Sequence, residues 1–103
     1  MIPAAEAIRA INRQRGESVV VTTMTPGRYW DGGSGKPERD LPVFGGMGKA
    51  SSVALGLALA RPDRKVLVLD GDGALLMNLG TLVTIAGQQP PNLVHFVFED
   101  GVY

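Results

Sequence analysis

The chain has 103 residues, with 10 Lys and Arg against 10 Asp and Glu, a formal net charge of zero and no cysteine. That length suits one small domain; the even charge balance offers no basic face to nucleic acid or an anionic membrane, and the lack of cysteine removes disulfides and thiolate metal sites. No apolar stretch is long enough to span a bilayer, and the segment from Met1 to Glu6 lacks the basic-then-apolar order of a signal peptide, so the expectation is a soluble, cytoplasmic protein.

Pro3 to Arg15 reads as a helix, with Pro3 suited to a first turn and Ala4, Ala5, Ile8 and Ile11 at helical spacing. Gly16 stops it. Ser18 to Thr23, with the run Val19-Val20-Val21, reads as a buried strand. Thr25 to Pro42 is rich in Gly, Pro and charge and reads as a long loop, followed by a short strand over Leu41 to Phe44. Gly48 to Ala60 is an apolar helix rich in small residues, ended by Arg61-Pro62-Asp63. Lys65 to Asp70 is a buried strand, Leu75 to Ala86 a second apolar helix, Gln88 to Asn92 a turn, and Leu93 to Phe98 a further strand. Strands alternating with helices predict an α/β fold: a doubly wound parallel sheet in three α/β/α layers. With a strand so near Tyr103, residues 1–103 read as one domain that is incomplete at its C-terminal edge.

Two acidic glycine turns follow the last two strands, Gly71-Asp72-Gly73 and Glu99-Asp100-Gly101. In open parallel sheets ligands bind beyond the carboxyl ends of the strands, and Mg²⁺ takes hard oxygen ligands such as a few carboxylates together with phosphate oxygens and water. Gly71 and Gly73 allow close approach of the backbone to a phosphate, and the helix that follows turns its N–H groups toward the same anion. An acidic turn that merely caps a helix is the plainer reading of either turn alone; the second turn at this distance favours a shared metal and diphosphate site.

Gly71-Asp72-Gly73, twenty-five residues and then the polar pair Glu99-Asp100 resemble the thiamine diphosphate motif, which begins GDG and ends in an Asn pair. Gly45-Gly46-Met47-Gly48 resembles the upstream loop of the 2-oxo acid decarboxylase and acetolactate synthase group. With the small-residue helix and Met77-Asn78-Leu79-Gly80, the stretch from Gly45 to Tyr103 is similar to the small cofactor-binding subunit of sulfopyruvate and phosphonopyruvate decarboxylases. The resemblance implies that Asp72 and Asp100 give side-chain oxygens, and Val102 its carbonyl, to Mg²⁺. It implies that Gly73 and Ala74 donate backbone N–H groups to the diphosphate of thiamine diphosphate, with Gly71 at the turn. Gly45 would accept from the aminopyrimidine, and Met47 would wedge the cofactor into a bent shape. It further implies a small 2-oxo acid substrate, an oligomer, and a pyrimidine-binding partner subunit or domain that supplies the activating glutamate.

Asp100 stands where the family has Asn, and Ala74 where it often has Ser. Two other readings remain open: a truncated or degenerate subunit that keeps the fold without catalysis, and a dinucleotide-binding domain in which Gly46-Met47-Gly48-Lys49-Ala50-Ser51 is the fingerprint and Asp70 binds a ribose. His95, Trp30, Tyr29 and Met77 read as packing residues, and Arg28, Lys36 and Arg39 as solvated loop charges.

Overall fold

A computed structural model of the chain describes residues 3–31, 35–43 and 48–99, without the side chains of residues 24, 25, 29 and 31. Four strands, β1 (Val19–Thr23), β2 (Asp40–Val43), β3 (Val66–Gly71) and β4 (Leu93–Phe98), form one sheet in the order β2-β1-β3-β4. All neighbours are parallel, registered from Val20↔Asp40, Val19↔Val66 and Val66↔Leu93. Parallel strands need crossovers, which here are supplied by helices on both faces. The doubly wound α/β expectation therefore holds.

Helices α1 (Ala4–Gln14) and α2 (Met24–Asp31) cover one face; α3 (Ala50–Ala60) covers the other, with α5 (Gly80–Gln88) beside it. Alternation along the strands sends Val20, Leu67 and Leu69 to a core with Ile8 and Trp30, and Val21, Val66 and Val68 to a second core under Ala50, Ala54 and Ala58. The small side chains of α3 let its backbone lie close to the sheet. The first helix ends as expected: Gly16 takes φ +56° just beyond it, a conformation that glycine adopts without steric cost.

Two boundaries differ from the sequence reading. The expected loop over Thr25 to Pro42 contains α2 and a 3-10 turn at Pro37–Arg39. Pro26 falls in the first turn of α2, where a missing N–H is tolerated, and Trp30 is only 1% exposed, so burial of one large ring outweighs poor local propensity. The single helix expected over Leu75 to Ala86 is two, α4 (Asp72–Leu76) and α5, broken at Met77 to Leu79. There Asn78, Thr81 and Leu82 donate to the carbonyls three residues back, Leu75, Asn78 and Leu79, the tighter pattern of a helix end. Pro42 sits in β2, an edge strand, where its missing donor is harmless. Among the described residues no helix is long and apolar enough to cross a membrane.

Candidate functional site

The chain runs from β1 outward to β2, then crosses back to β3 on the other side of β1. That reversal makes the carboxyl ends of β1 and β3 the topological switch point, where open parallel sheets bind ligands. β1 keeps register with β3 only to Thr22↔Leu69, whereas β4 continues to Gly71↔Phe98. The end of β3 is thus open toward β1 just where the chain turns into α4.

Gly71 is extended (φ −103°, ψ 156°) and leads into the helix that starts at Asp72. A Cβ added at Gly71 would meet no atom of the described residues within 4 Å, so its backbone is uncrowded by them. The Asp72 carboxylate is half-buried, and its Oδ1 accepts the Gly73 N–H at 2.8 Å. Its Oδ2 has no hydrogen-bond partner among the described residues and is a hard-oxygen donor of the kind Mg²⁺ takes. The Gly73 N–H expected on a diphosphate is engaged by Asp72 itself. Ala74 is the third residue of α4, in the first turn, where N–H groups lack intrahelical acceptors.

Gly48 has φ +87°, and a Cβ placed on it would lie 3.2 Å from the Ala74 carbonyl oxygen and 3.1 Å from Met77 Cβ. Gly48 therefore rests directly on the helix that follows Gly71-Asp72-Gly73. Two points separated in sequence meet at one place, and a side chain there would be crowded as well as strained by the positive φ. Gly45, Met47, Asp100 and Val102 lie outside the described residues, as does Phe44, the expected last residue of the second strand. Of the expected metal ligands, Asp72 is the one described, and no cluster of three or more His, Asp or Glu occurs among the described residues.

The ribose role open to Asp70 is corrected. Its side chain is 3% exposed; Oδ1 accepts the Gly71 N–H at 3.0 Å and Oδ2 bonds His95 Nε2 at 2.9 Å. His95, expected as a packing residue, holds a buried carboxylate. Met77, also expected to pack, is 53% exposed. Lys36 and Arg39, expected as solvated loop charges, both pair at the surface with Glu17, whose carboxyl is held below its usual range mainly by the hydrogen bond from Lys36. Sequence reasoning also missed Arg15, which pairs with Asp40 at 2.9 Å, donates to the Ser18 carbonyl and lies 5.1 Å over the Trp30 ring. This cluster is at the amino ends of β1 and β2, opposite the switch point, and its work is structural. No spacing rule marks such a cluster, because Arg15, Trp30 and Asp40 come from three distant elements.

Residues 6–103 match the family model described as "Thiamine pyrophosphate enzyme, C-terminal TPP binding domain". The chain is 44% identical over 102 residues to the sulfopyruvate decarboxylase subunit beta of Methanothermobacter thermautotrophicus, an alignment over 95% of this chain and 54% of that protein. It is 52% identical over 61 residues to the phosphonopyruvate decarboxylase of Streptomyces hygroscopicus, covering 59% of this chain and 15% of that one. A putative thiamin diphosphate-dependent enzyme from Mycobacterium smegmatis superposes with a TM-score of 0.76 over 97% of this chain and 21% of its own; at 18% identity that likeness speaks for the fold alone. The chain thus spans about half the length of the archaeal β subunit.

Proposed function

The chain belongs to the family of C-terminal TPP binding domains of thiamine pyrophosphate enzymes, and on that premise we propose that it is the diphosphate-binding half of a 2-oxo acid decarboxylase. The observation that carries the reading is the seating of Gly48 on α4, the helix that begins at Asp72, whose carboxylate has one oxygen without a hydrogen-bond partner among the described residues. The donor chemistry fits the cofactor: a hard oxygen for Mg²⁺, open backbone at Gly71, and a helix start facing the switch point. Asp72, with Asp100 and the Val102 carbonyl, would hold the ion. Ala74 would offer its N–H to the diphosphate, Gly45 would accept from the aminopyrimidine, and Met47 would support the bend of the cofactor.

When bound, thiamine diphosphate supplies the carbon that adds to the keto group and the ring that takes up electrons as CO₂ leaves. The residues of this chain bind and orient; none is assigned to proton transfer. The activating carboxylate would come from a pyrimidine-binding partner, in keeping with relatives named as β subunits. An exposed apolar surface supports burial against another subunit. It lies on α4, α5 and the turn between them, where Leu76 and Val83 are 58% and 75% exposed, and reaches α3 at Leu59, 49% exposed.

The substrate class proposed is a 2-oxo acid carrying a second anionic group, after the sulfopyruvate and phosphonopyruvate enzymes among the relatives. The test is CO₂ release from sulfopyruvate, phosphonopyruvate and pyruvate by the full-length protein, with and without its partner. Release that requires Mg²⁺, thiamine diphosphate and the partner together, and that favours the dianionic acids, is expected. Turnover without a partner would contradict the half-site, and a complex that binds cofactor but turns over none of these acids would favour the non-catalytic reading.

A further inference from the structure

Asp70 is a buried carboxylate to which the proposed reaction gives no role. Burying such a group is costly unless it is hydrogen-bonded, and both of its oxygens are used. Oδ1 accepts the Gly71 N–H at 3.0 Å, and Oδ2 meets His95 Nε2 at 2.9 Å. The geometry suits a bond in which His95 Nε2–H donates to Asp70 Oδ2. His95 belongs to β4, in register with Val68, and reaches along the sheet to the residue two places further on. Its side chain is 14% exposed, so the bond is largely sheltered from water.

The position of this pair gives it a consequence. β1 leaves β3 after Leu69, and from Asp70 to Gly71 the strand has β4 as its one registered neighbour. Here the backbone must turn from strand to helix and present Asp72. His95 fixes one oxygen of Asp70 from β4, and the other oxygen fixes the Gly71 N–H. Gly71, which has no side chain to pack, is thereby held twice: by its register with Phe98 of β4 and by the Asp70 carboxylate on its N–H.

We propose that His95 is a positioning residue for the cofactor site. Through Asp70 it holds the Gly71-Asp72 backbone in place, and with it the carboxylate offered to the metal ion of Mg²⁺–thiamine diphosphate. The inference rests on the functional reading above. Groups that orient a metal ligand in this way commonly change metal affinity by about 10-fold or more when removed.

The test uses the full-length protein with its partner, titrated calorimetrically with thiamine diphosphate in MgCl₂, alongside amide exchange at Gly71 to Gly73 and thermal melts. His95→Phe keeps a ring but loses the donor; His95→Gln keeps a donor. Expected are a rise in Kd of about 10-fold for His95→Phe, faster exchange at Gly71 without faster exchange in α3, kcat largely retained at saturating cofactor, and recovery of affinity in His95→Gln. Unchanged Kd in both variants would overturn the proposal, as would losses in both that follow the fall in Tm. Should His95→Phe fail to fold, Asp70→Asn decides in the same way: a raised Kd supports the proposal and an unchanged Kd refutes it. A wild-type protein that binds no cofactor refutes the functional reading itself; wild-type binding with equal binding by the variants refutes only the role of His95.

Discussion

Gly48→Ala should be among the most damaging one-carbon changes in this chain. Two costs add. The backbone at φ +87° lies on the side of conformational space that L-residues avoid, at about 1–2 kcal/mol. The new methyl would stand 3.1 Å from Met77 Cβ, 3.2 Å from the Ala74 oxygen and 3.4 Å from Asn78 Cβ. The Ala74 oxygen belongs to helix backbone and cannot swing aside, so overpacking adds about 1 kcal/mol or more. A total of roughly 2–3 kcal/mol corresponds to a fall in Tm of roughly 8–24 °C for a domain of this size. Thermal and urea melts followed by circular dichroism read the change directly. Gly56→Ala is the internal control: Gly56 lies within α3, and an added Cβ meets nothing within 4 Å, so alanine there should stabilise by about 0.5–1 kcal/mol. Because the methyl presses on the first turns after Asp72, Gly48→Ala should also weaken cofactor binding at temperatures where the variant is folded. A Tm within about 2 °C of wild type would refute the close seating of the Gly48 turn on α4.

Arg15→Met should cost about 3–5 kcal/mol, because Asp40 would be left as a buried charge without its guanidinium; a second change, Asp40→Leu, should recover much of it in urea denaturation. Asn92→Ala removes a side-chain amide that donates to the carbonyls of Ala58, Arg61 and Arg64, tying the end of α3 to the start of β3. A loss of about 1–3 kcal/mol is expected with cofactor affinity unchanged, since this lock sits at the amino ends of the strands. The Asp63 carboxyl is pushed down to about 2, first by its hydrogen bond from Arg61. A depressed carboxyl contributes above its ordinary pKa of 3.8 and loses that contribution as pH falls toward 2. The Tm difference between wild type and Asp63→Asn should therefore be constant above about pH 5 and vanish between about pH 4 and pH 2, and it should be small throughout because the pair is exposed.

The strands and the small-residue helix were legible because burial on both faces writes continuous runs such as Val66-Leu67-Val68-Leu69 into the sequence. The order of alternation was enough for a parallel sheet. Helix α2 was hidden by Pro26 and Gly27, whose local signal is that of a turn; what makes it helical is the burial of Trp30 against β1 and β3, a tertiary effect that no window of residues contains. The split between α4 and α5 was hidden for the opposite reason, since Leu75 to Ala86 is mostly apolar and masks the weak helix formers Asn78 and Gly80. At the site, Gly71 to Ala74 was legible from its motif. The contact of Gly48 with Ala74 became visible only in three dimensions, and so did the Asp70–His95 pair, because partners twenty-five residues apart share a face only once the register Val68↔His95 is known.

Mg²⁺-dependent binding of thiamine diphosphate is the property on which the account stands. Isothermal titration of the full-length protein with its partner, in MgCl₂ and then in EDTA, should show saturable binding that EDTA abolishes. Asp72→Ala should lose that binding while its melt without cofactor stays close to wild type, because Asp72 is only half-buried and among the described residues its carboxylate bonds only to its own neighbour. Binding by Asp72→Ala that equals wild type, or wild-type binding indifferent to EDTA, would contradict the assignment of this strand end as the metal and diphosphate site.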